Sequence, residues 1–292
     1  MKQKALVYSG RVEVVEYPVV PVHENILVKP MYVYIGDLER GIVNGVVPLA
    51  KPTILGSVGI VKVIEVFDGP TEYTGKVYSV TPLGDKGILG VDIHGLLSSY
   101  ASLTSSYLDE ELIQYTPFDS LKPLVKHVSE VASLCEEPVL IEGCGLIGVA
   151  TGLMLRKIGV EPVFYCEEGL RRALMFDFQV YKHTGSLSSR WRTLVLTSTN
   201  AFSKYTLLST TEVHHVIVTP LSLTRWIPIP SGRKGSIKVT FLWKSSNYNA
   251  EHVKSVLREL EKVIKVIDVQ DVEKTIGLIP PRGLGTVISL KS

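Results

Sequence analysis

This chain of 292 residues has few cysteines, a small net charge and few long apolar runs. Lysine and arginine together number 31, against 29 aspartates and glutamates, which gives a net charge of +2. Because the basic residues are scattered, they form no stripe of the kind that a nucleic-acid-binding surface needs. We therefore expect no nucleic-acid partner.

No apolar run is long enough to span a bilayer, so we expect no membrane partner. The opening residues, MKQKALVYSG, lack the apolar segment of a signal peptide and predict a first strand instead. The three cysteines, Cys135, Cys144 and Cys166, lie in or beside apolar segments. So small and odd a set favours a reducing compartment over a disulfide framework, which predicts a cytoplasmic protein.

What the chain does contain is a glycine-rich stretch between two apolar runs. Pro138–Ile141 and Pro162–Cys166 each predict a buried strand, and between them apolar residues recur at helical period until Gly159. The glycines follow the first run in G-x-G-x-x-G spacing, and an acid closes the second run 24 positions after the first glycine: Gly143, Gly145, Gly148 and Glu167. This order predicts a βαβ unit.

Binding of a dinucleotide needs these residue types at these places. Gly143 lets the strand turn sharply, Gly145 leaves room for a pyrophosphate, and Gly148 lets the helix lie close to the strand. The diphosphate would face main-chain amides of residues 143–148, including those of Leu146 and Ile147, where the helix dipole favours negative charge. The alternative is a Rossmann-like unit whose glycines serve packing alone.

The rest of the chain has two kinds of pattern. Residues 1–110 consist of short alternating runs punctuated by proline, which predicts a small irregular β-barrel. Residues 121–135 change to helical period, so we place a domain boundary near residue 120. Further strands and a last helix follow, the helix beginning at Asn249 and presenting apolar residues as far as Ile267; the strands are Thr193–Thr197, Val213–Thr219 and Ser236–Trp243.

These patterns predict an α/β chain with a β-rich domain at 1–120, a doubly wound parallel (Rossmann) domain at 121–267, and a segment at 268–292 that returns to the first domain. A bound coenzyme is expected in the cleft between the two domains, because ligands of open parallel sheets bind at the carboxyl ends of the strands.

In its order of segments the chain resembles the medium-chain dehydrogenase/reductase family, which includes alcohol dehydrogenases and quinone reductases. The resemblance covers nearly the whole chain and implies that the β-rich domain is a chaperonin-10-like barrel. Beside the glycine motif it depends on Lys4–Tyr8 (KALVY), Glu24–Lys29 (ENILVK), Gly36–Gly41 (GDLERG), Leu55–Val66 (LGSVGIVKVIEV), Gly75–Val77, Gly95–Tyr100 (GLLSSY) and Gly285–Leu290 (GTVISL).

The chain departs from the zinc members of that family at their metal ligands. Tyr34, or Ile35 if a gap is allowed, stands where they place a cysteine. Ser57 and Val58 stand where they place His-Glu, and Gly36 stands where they carry a Ser or Thr for proton relay.

The lobe that holds a structural zinc in many relatives is also missing, since only Thr81–Ile93 occupies its place. A catalytic zinc requires Cys, His or carboxylate ligands. The resemblance therefore implies the fold and the coenzyme, and we expect no bound metal.

Without zinc, another group must polarise a carbonyl or supply a proton. The resemblance places the Tyr34 hydroxyl near the nicotinamide, where it would act as hydrogen-bond donor or general acid; the alternative is a tyrosine that packs in the former metal cavity. Ser57 is a second candidate donor. Asp37, followed by Arg40, is a third candidate, with stabilisation of the barrel as its alternative role.

Coenzyme choice depends on Glu167, whose carboxylate would accept hydrogen bonds from ribose hydroxyls and repel a 2′-phosphate, favouring NAD(H). Arg171 and Arg172 could neutralise a phosphate and keep NADP(H) open. The ends of the next two strands line the coenzyme cleft in the family; here they carry Thr197, Ser198 and Thr219.

The sequence thus predicts a zinc-independent NAD(P)-dependent oxidoreductase acting on a small-molecule carbonyl, quinone or activated alkene. The alternative is a catalytically degenerate relative that acts as a nucleotide-binding or structural protein, which the lost ligands and relay residue favour. The intact glycine motif with its terminal acid favours the enzyme. The edge strand Ser236–Trp243 is a candidate surface for a homodimer.

Overall fold

The structure is a computed structural model, and it describes residues 2–18, 26–67, 69–222, 237–242 and 247–290. The chain divides into two compact units, the first made of Met1–Pro123 with Glu261–Ser292 and the second of Leu124–Leu260. The domain limits predicted from sequence, residues 120 and 267, stay predictions.

Strands and helices alternate in the second unit, whereas strands predominate in the first. The strands are β1 (Lys2–Tyr8), β2 (Val12–Pro18), β3 (Ile26–Ile35), β4 (Thr53–Ile54), β5 (Val58–Val66), β6 (Val77–Val80), β7 (Leu83–Gly84), β8 (Gly87–Ile88), β9 (Ala101–Leu103), β10 (Leu108–Glu111), β11 (Val139–Glu142), β12 (Val163–Tyr165), β13 (Gln179–Tyr181), β14 (Arg190–Leu196), β15 (Glu212–Val218), β16 (Lys238–Phe241), β17 (Lys265–Val269) and β18 (Thr286–Leu290).

The helices are α1 (Asp37–Val43), α2 (Lys122–Ser133), α3 (Leu146–Lys157), α4 (Arg171–Leu174), α5 (Ala201–Thr210) and α6 (Ala250–Glu261). Short 3₁₀ segments cover Thr71–Tyr73, Ser105–Tyr107, Pro117–Leu121, Thr184–Ser186, Pro220–Ser222 and Val272–Leu278.

Antiparallel sheets build the first unit. A small sheet has the order β2-β1-β4, and a larger one has the order β10-β6-β5-β3-β18-β17, with β9 also paired to β3. The last strand, β18, lies antiparallel to β3 and parallel to β17, so the C-terminal segment is part of the larger sheet of this unit. That the unit is a chaperonin-10-like barrel stays a prediction.

Among its described residues, the second unit contains a six-stranded parallel sheet with the order β13-β12-β11-β14-β15-β16. The chain begins in the middle at β11, moves outward to β13, and then returns to continue from β14 to the other edge. This order confirms the predicted Rossmann-type fold, and the crevice next to β11, where the direction reverses, is where such sheets bind ligands. Most residues of its central strands are apolar and buried, as is typical of parallel sheets.

The last predicted helix and the predicted edge strand have different bounds in the structure. The helix that begins after Asn249 ends at Glu261, and Ile267 lies in β17 because this segment pairs with β18 instead of extending the helix. The predicted strand Ser236–Trp243 corresponds to β16 at the sheet edge, with Ser236 and Trp243 outside the described residues.

Among the described residues, no helix combines the length and the apolar character needed to cross a membrane.

Candidate functional site

The glycine loop follows β11 at the reversal point of the parallel sheet. Gly143 has a φ of +99°, a conformation that L side chains rarely adopt, and its amide donates to the Tyr165 carbonyl at 2.9 Å. Gly145 then caps α3, which begins at Leu146. A sharp turn and a helix N-terminus therefore lie directly at the carboxyl end of the first strand.

Two of the loop glycines have no room for a side chain. A Cβ atom on Gly148 would collide with the Gly143 carbonyl and lie 2.9 Å from Thr197 Oγ1. A Cβ atom on Gly143 would lie 2.8 Å from the same hydroxyl. The backbone is thus compact where a diphosphate would approach the helix N-terminus, so these residues fit a dinucleotide. The side chains of Leu146 and Ile147 are buried, which leaves their main chain as the part that can contact a ligand.

A buried carboxylate that the sequence reading missed lies immediately before this loop. Glu142 has no exposed surface, and its carboxylate accepts hydrogen bonds from the Ser198 hydroxyl and from the amides of Thr197 and Ser198, at 3.2 and 3.1 Å. The Thr197 hydroxyl donates to the Glu142 carbonyl at 2.6 Å. These bonds tie the glycine loop to the end of β14. An acid closing an otherwise apolar strand was the available signal.

Thr197 and Ser198, the two predicted cleft-lining residues that follow β14, therefore have partners within the unit. Thr219, the third, is buried, and its hydroxyl donates to the Leu196 carbonyl at 3.0 Å. Lys204 on α5 is also buried and donates to the Ser222 carbonyl. Burial lowers the pKa of Lys204, while the charge of Glu142 acts in the opposite direction.

Glu167 follows β12 and is half-buried. Its carboxylate accepts hydrogen bonds from Asn200 Nδ2 at 3.1 Å and from the Tyr165 hydroxyl at 3.3 Å. Arg172 on α4 is half-buried with its guanidinium close to Gly169, where an added Cβ would lie 2.9 Å from Arg172 Cζ. The acid and the arginine that would decide between NAD(H) and NADP(H) both lie in the segment that follows β12.

The prediction that the cysteines avoid disulfides is wrong for two of them. Cys144 and Cys166 form a disulfide with their Cα atoms 5.7 Å apart, and Cys135 is the free cysteine. The bonded residues are 22 positions apart in sequence. They nevertheless meet, because β11 and β12 are parallel neighbours and each cysteine follows its strand closely. A cytoplasmic location stays a prediction.

In the first unit, Tyr34 lies in β3 and fills the space that two glycines leave. A Cβ atom on either Gly36 or Gly285 would collide with its ring, and its hydroxyl donates to the Leu284 carbonyl at 2.5 Å. The ring is buried. Tyr34 and Gly36, two departures from the zinc members of the family, are therefore coupled. The tyrosine ring occupies the space of a side chain at position 36, so that residue has to be glycine.

Glu39 on α1 is a second buried carboxylate that the sequence reading missed. It is 1% exposed, and its Oε2 accepts from the Gly36 amide at 2.8 Å, which caps α1. Its Oε1 lies 3.5 Å from Ser57 Oγ. Burial raises the pKa of Glu39, because desolvation disfavours the charged carboxylate. The signal in the sequence was an acid two positions after Asp37.

Asp37 forms a salt bridge with Arg40. Arg40 in turn donates to the carbonyl groups of Pro281 and Gly283, at 2.8 and 3.1 Å from Nη2. This arrangement attaches α1 to the turn before β18. Both roles predicted for Asp37, in catalysis and in stabilising the barrel, stay predictions.

The residues around Ser57 do not fit a zinc site. Tyr34, Ser57 and Glu39 offer a phenol, an alcohol and a single carboxylate, whereas zinc sites use three or four thiolate, imidazole or carboxylate ligands. Nowhere in the described ranges do three or more His, Cys, Asp or Glu residues gather in a way that could hold a metal ion.

No protein-family model matches this chain, and no curated protein matches it. Solved structures do. An acetophenone reductase from Geotrichum candidum, in complex with NAD, is 14% identical with a TM-score of 0.70, over 99% of this chain and 97% of that one. A protein from Sinorhizobium meliloti described as a zinc-binding dehydrogenase, bound to NADP, is 15% identical with a TM-score of 0.67, over 99% of both chains.

A thermostable alcohol dehydrogenase from Pyrobaculum aerophilum is 14% identical with a TM-score of 0.67, over 99% of this chain and all of the other. At such identities the likeness establishes the fold. The resemblance to alcohol dehydrogenases predicted from sequence is confirmed at that level.

Proposed function

We propose that this chain is an NAD(P)-dependent oxidoreductase that works without zinc. Its substrate would be a small carbonyl compound, a quinone or an activated alkene. The observation that carries the proposal is the compact glycine loop at residues 143–148, set at the reversal point of a parallel sheet with Glu167 after the neighbouring strand. Relatives in fold that were solved with NAD and NADP support it.

Within the second unit, we assign the diphosphate to the glycine loop and the ribose to Glu167. The main chain of residues 143–148 would hold the diphosphate, and the Glu167 carboxylate would accept hydrogen bonds from ribose hydroxyls. That carboxylate would repel a 2′-phosphate, so we propose NAD(H) as the preferred coenzyme. A bound nicotinamide coenzyme supplies the hydride chemistry itself.

Within the first unit, we propose Ser57 and Glu39 as the pair that handles the proton. Burial raises the pKa of Glu39, and the Ser57 hydroxyl donates to its Oε1 at 3.5 Å. Proton transfer by a positioned side chain contributes about 10²- to 10⁴-fold to a rate. Tyr34 would act by packing, since its hydroxyl proton is committed to the Leu284 carbonyl.

The direct test is coenzyme binding followed by turnover. We expect fluorescence titration to show NADH binding more tightly than NADPH, and absorbance at the nicotinamide band to fall when aldehydes, quinones or enals are added. Glu167→Gln should reduce the preference for NADH over NADPH by about tenfold, equivalent to about 1.4 kcal/mol. Glu168→Gln is the matched control, because Glu168 is the exposed neighbour. If neither nucleotide binds, the proposal is wrong.

A second candidate is a nucleotide-binding protein without turnover. It is favoured by the burial of Ser57 and Glu39 and by the hydrogen bond that already occupies the Tyr34 hydroxyl. Tight NADH binding without any oxidation across the substrate panel would support this candidate. Loss of turnover in both Ser57→Ala and Glu39→Gln, with coenzyme affinity unchanged, would exclude it.

A further inference from the structure

We infer that the Cys144–Cys166 disulfide is a reversible thiol–disulfide site that sets the affinity of the glycine loop for a dinucleotide, the oxidised form binding more tightly. A dithiol, either a small molecule or a dithiol protein, would reduce it. This inference rests on the proposed function, because it concerns the coenzyme site of the second unit.

The position of the disulfide carries the inference. Cys144 is the residue between Gly143 and Gly145, and Cys166 directly precedes Glu167. One covalent bond therefore joins the turn expected to approach the diphosphate to Cys166, the direct neighbour of the residue expected to meet the ribose. A change of redox state at this bond acts on both contacts at once.

Main-chain hydrogen bonds also hold the loop and the end of β12. The Gly143 amide bonds to the Tyr165 carbonyl, and the Cys166 amide bonds outward to the Tyr181 carbonyl, each at 2.9 Å. Hydrogen bonds between Glu142 and Thr197 connect the loop to the end of β14 on the other side. Within the described part of the chain, the Gly143 amide would still donate to the Tyr165 carbonyl after reduction. A loop that must be ordered on binding has a lower affinity than one already held in place.

The redox chemistry balances with a dithiol as the reductant. One of its thiolates attacks a sulfur of the disulfide and forms a mixed disulfide, and its second thiol displaces the protein sulfur. Two electrons and two protons pass to Cys144 and Cys166, which become thiols, and the dithiol becomes a disulfide. Because the two residues are only 3% and 1% exposed, attack requires local opening of the loop.

Linkage makes the effect reciprocal. If oxidation raises the affinity for the dinucleotide by some factor, the bound dinucleotide must favour the disulfide over the dithiol by the same factor. A bound nucleotide should therefore protect the disulfide from reduction. A disulfide that merely stabilises the fold without touching the site would give no such shift.

The test measures NADH affinity by calorimetry in the oxidised wild type, in the wild type reduced with dithiothreitol, and in Cys144→Ala/Cys166→Ala. We expect the reduced protein and the double variant to bind about fivefold or more weakly than the oxidised protein. Cys135→Ala is the matched control, because Cys135 is the free cysteine and its removal should leave the affinity and the response to dithiothreitol unchanged. Circular dichroism shows whether each form is folded.

A second measurement titrates the disulfide against oxidised and reduced dithiothreitol, with and without saturating NADH. The midpoint ratio should shift by the same factor as the affinity. Equal affinity in the oxidised and reduced wild type would overturn the inference and leave the proposed function intact. Absence of binding in both redox states would overturn the proposed function, and this inference with it. Unfolding of the reduced wild type as well as of the variant would make the disulfide structural, which also refutes the inference.

Discussion

The Ser198 hydroxyl donates a hydrogen bond to the Glu142 carboxylate, and the two residues are 56 positions apart in the chain. They come together because β11 and β14 are adjacent parallel strands whose carboxyl ends lie side by side. The bond connects the residue before the glycine loop to the segment after β14. The candidate coenzyme site is therefore organised by a carboxylate that itself contacts no solvent.

Replacing that carboxylate tests its role. In Glu142→Gln, the amide nitrogen would face N–H or O–H donors that now point at a carboxylate oxygen. We expect a loss of about 1–3 kcal/mol in the free energy of unfolding, measured by urea denaturation, because buried donors lose their acceptor. Glu136→Gln, at an exposed ion pair with Arg192, should change stability little. An unchanged stability in Glu142→Gln would show that its hydrogen bonds contribute nothing.

The close approach of helix α3 to the loop can be tested at Gly148. In Gly148→Ala the new methyl group would meet the Gly143 carbonyl and the Thr197 hydroxyl. We expect about 1–3 kcal/mol of destabilisation and a loss of NADH binding, because the helix must move away from the strand. Gly185→Ala is the control, since a Cβ there meets nothing within 4 Å. Normal binding by Gly148→Ala would contradict the packing described here.

Tyr34→Phe separates the packing role of Tyr34 from the catalytic one. It removes the donor to the Leu284 carbonyl and keeps the ring between Gly36 and Gly285. We expect stability to fall by about 1 kcal/mol and turnover to change by no more than a few-fold. Tyr205→Phe, on the exposed part of α5, should change neither. A fall in kcat of about 10²-fold or more, with stability unchanged, would instead identify Tyr34 as a proton donor.

His127 on α2 should make stability depend on pH. Its ring is buried, its Nε2 has no hydrogen-bond partner among the described residues, and burial lowers the pKa of His127 from 6.5 to about 4. Between those pH values the unfolded chain binds a proton at His127 that the folded chain does not bind. The free energy of unfolding that is present above pH 6.5 is therefore lost as the pH falls toward 4. The loss is at most about 3 kcal/mol, since one pKa unit corresponds to 1.36 kcal/mol.

Urea denaturation at pH 7.5, 5.5 and 4.5 measures this dependence. His127→Leu should flatten the slope of stability against pH, and the exposed His183→Gln should leave it unchanged. Equal slopes in the wild type and His127→Leu would show that His127 titrates alike in the folded and unfolded chain.

Local sequence patterns were enough to predict the part of this protein in which strands and helices alternate along the chain. The alternation of strand and helix around Gly143–Glu167 predicted the βαβ unit, and the same reasoning carried to Thr193–Thr197 and Val213–Thr219 predicted the parallel sheet. Periodicity predicts these elements because the residues that each element buries are apolar and recur at the spacing of that element. It failed at Ile267, where pairing with β18 outweighed a helical pattern that continues from α6.

The sequence by itself therefore determined the doubly wound sheet and the place of its glycine loop, since spacing and period are properties of neighbouring residues. Only the tertiary structure decided that Cys144 meets Cys166, that Glu142 reaches Ser198, and that Tyr34 takes the space left by two glycines. Each of these contacts joins residues from different strands or turns, so it forms only when the strands have paired. Strand pairing joins distant parts of the chain, and a local sequence pattern does not specify which strands pair.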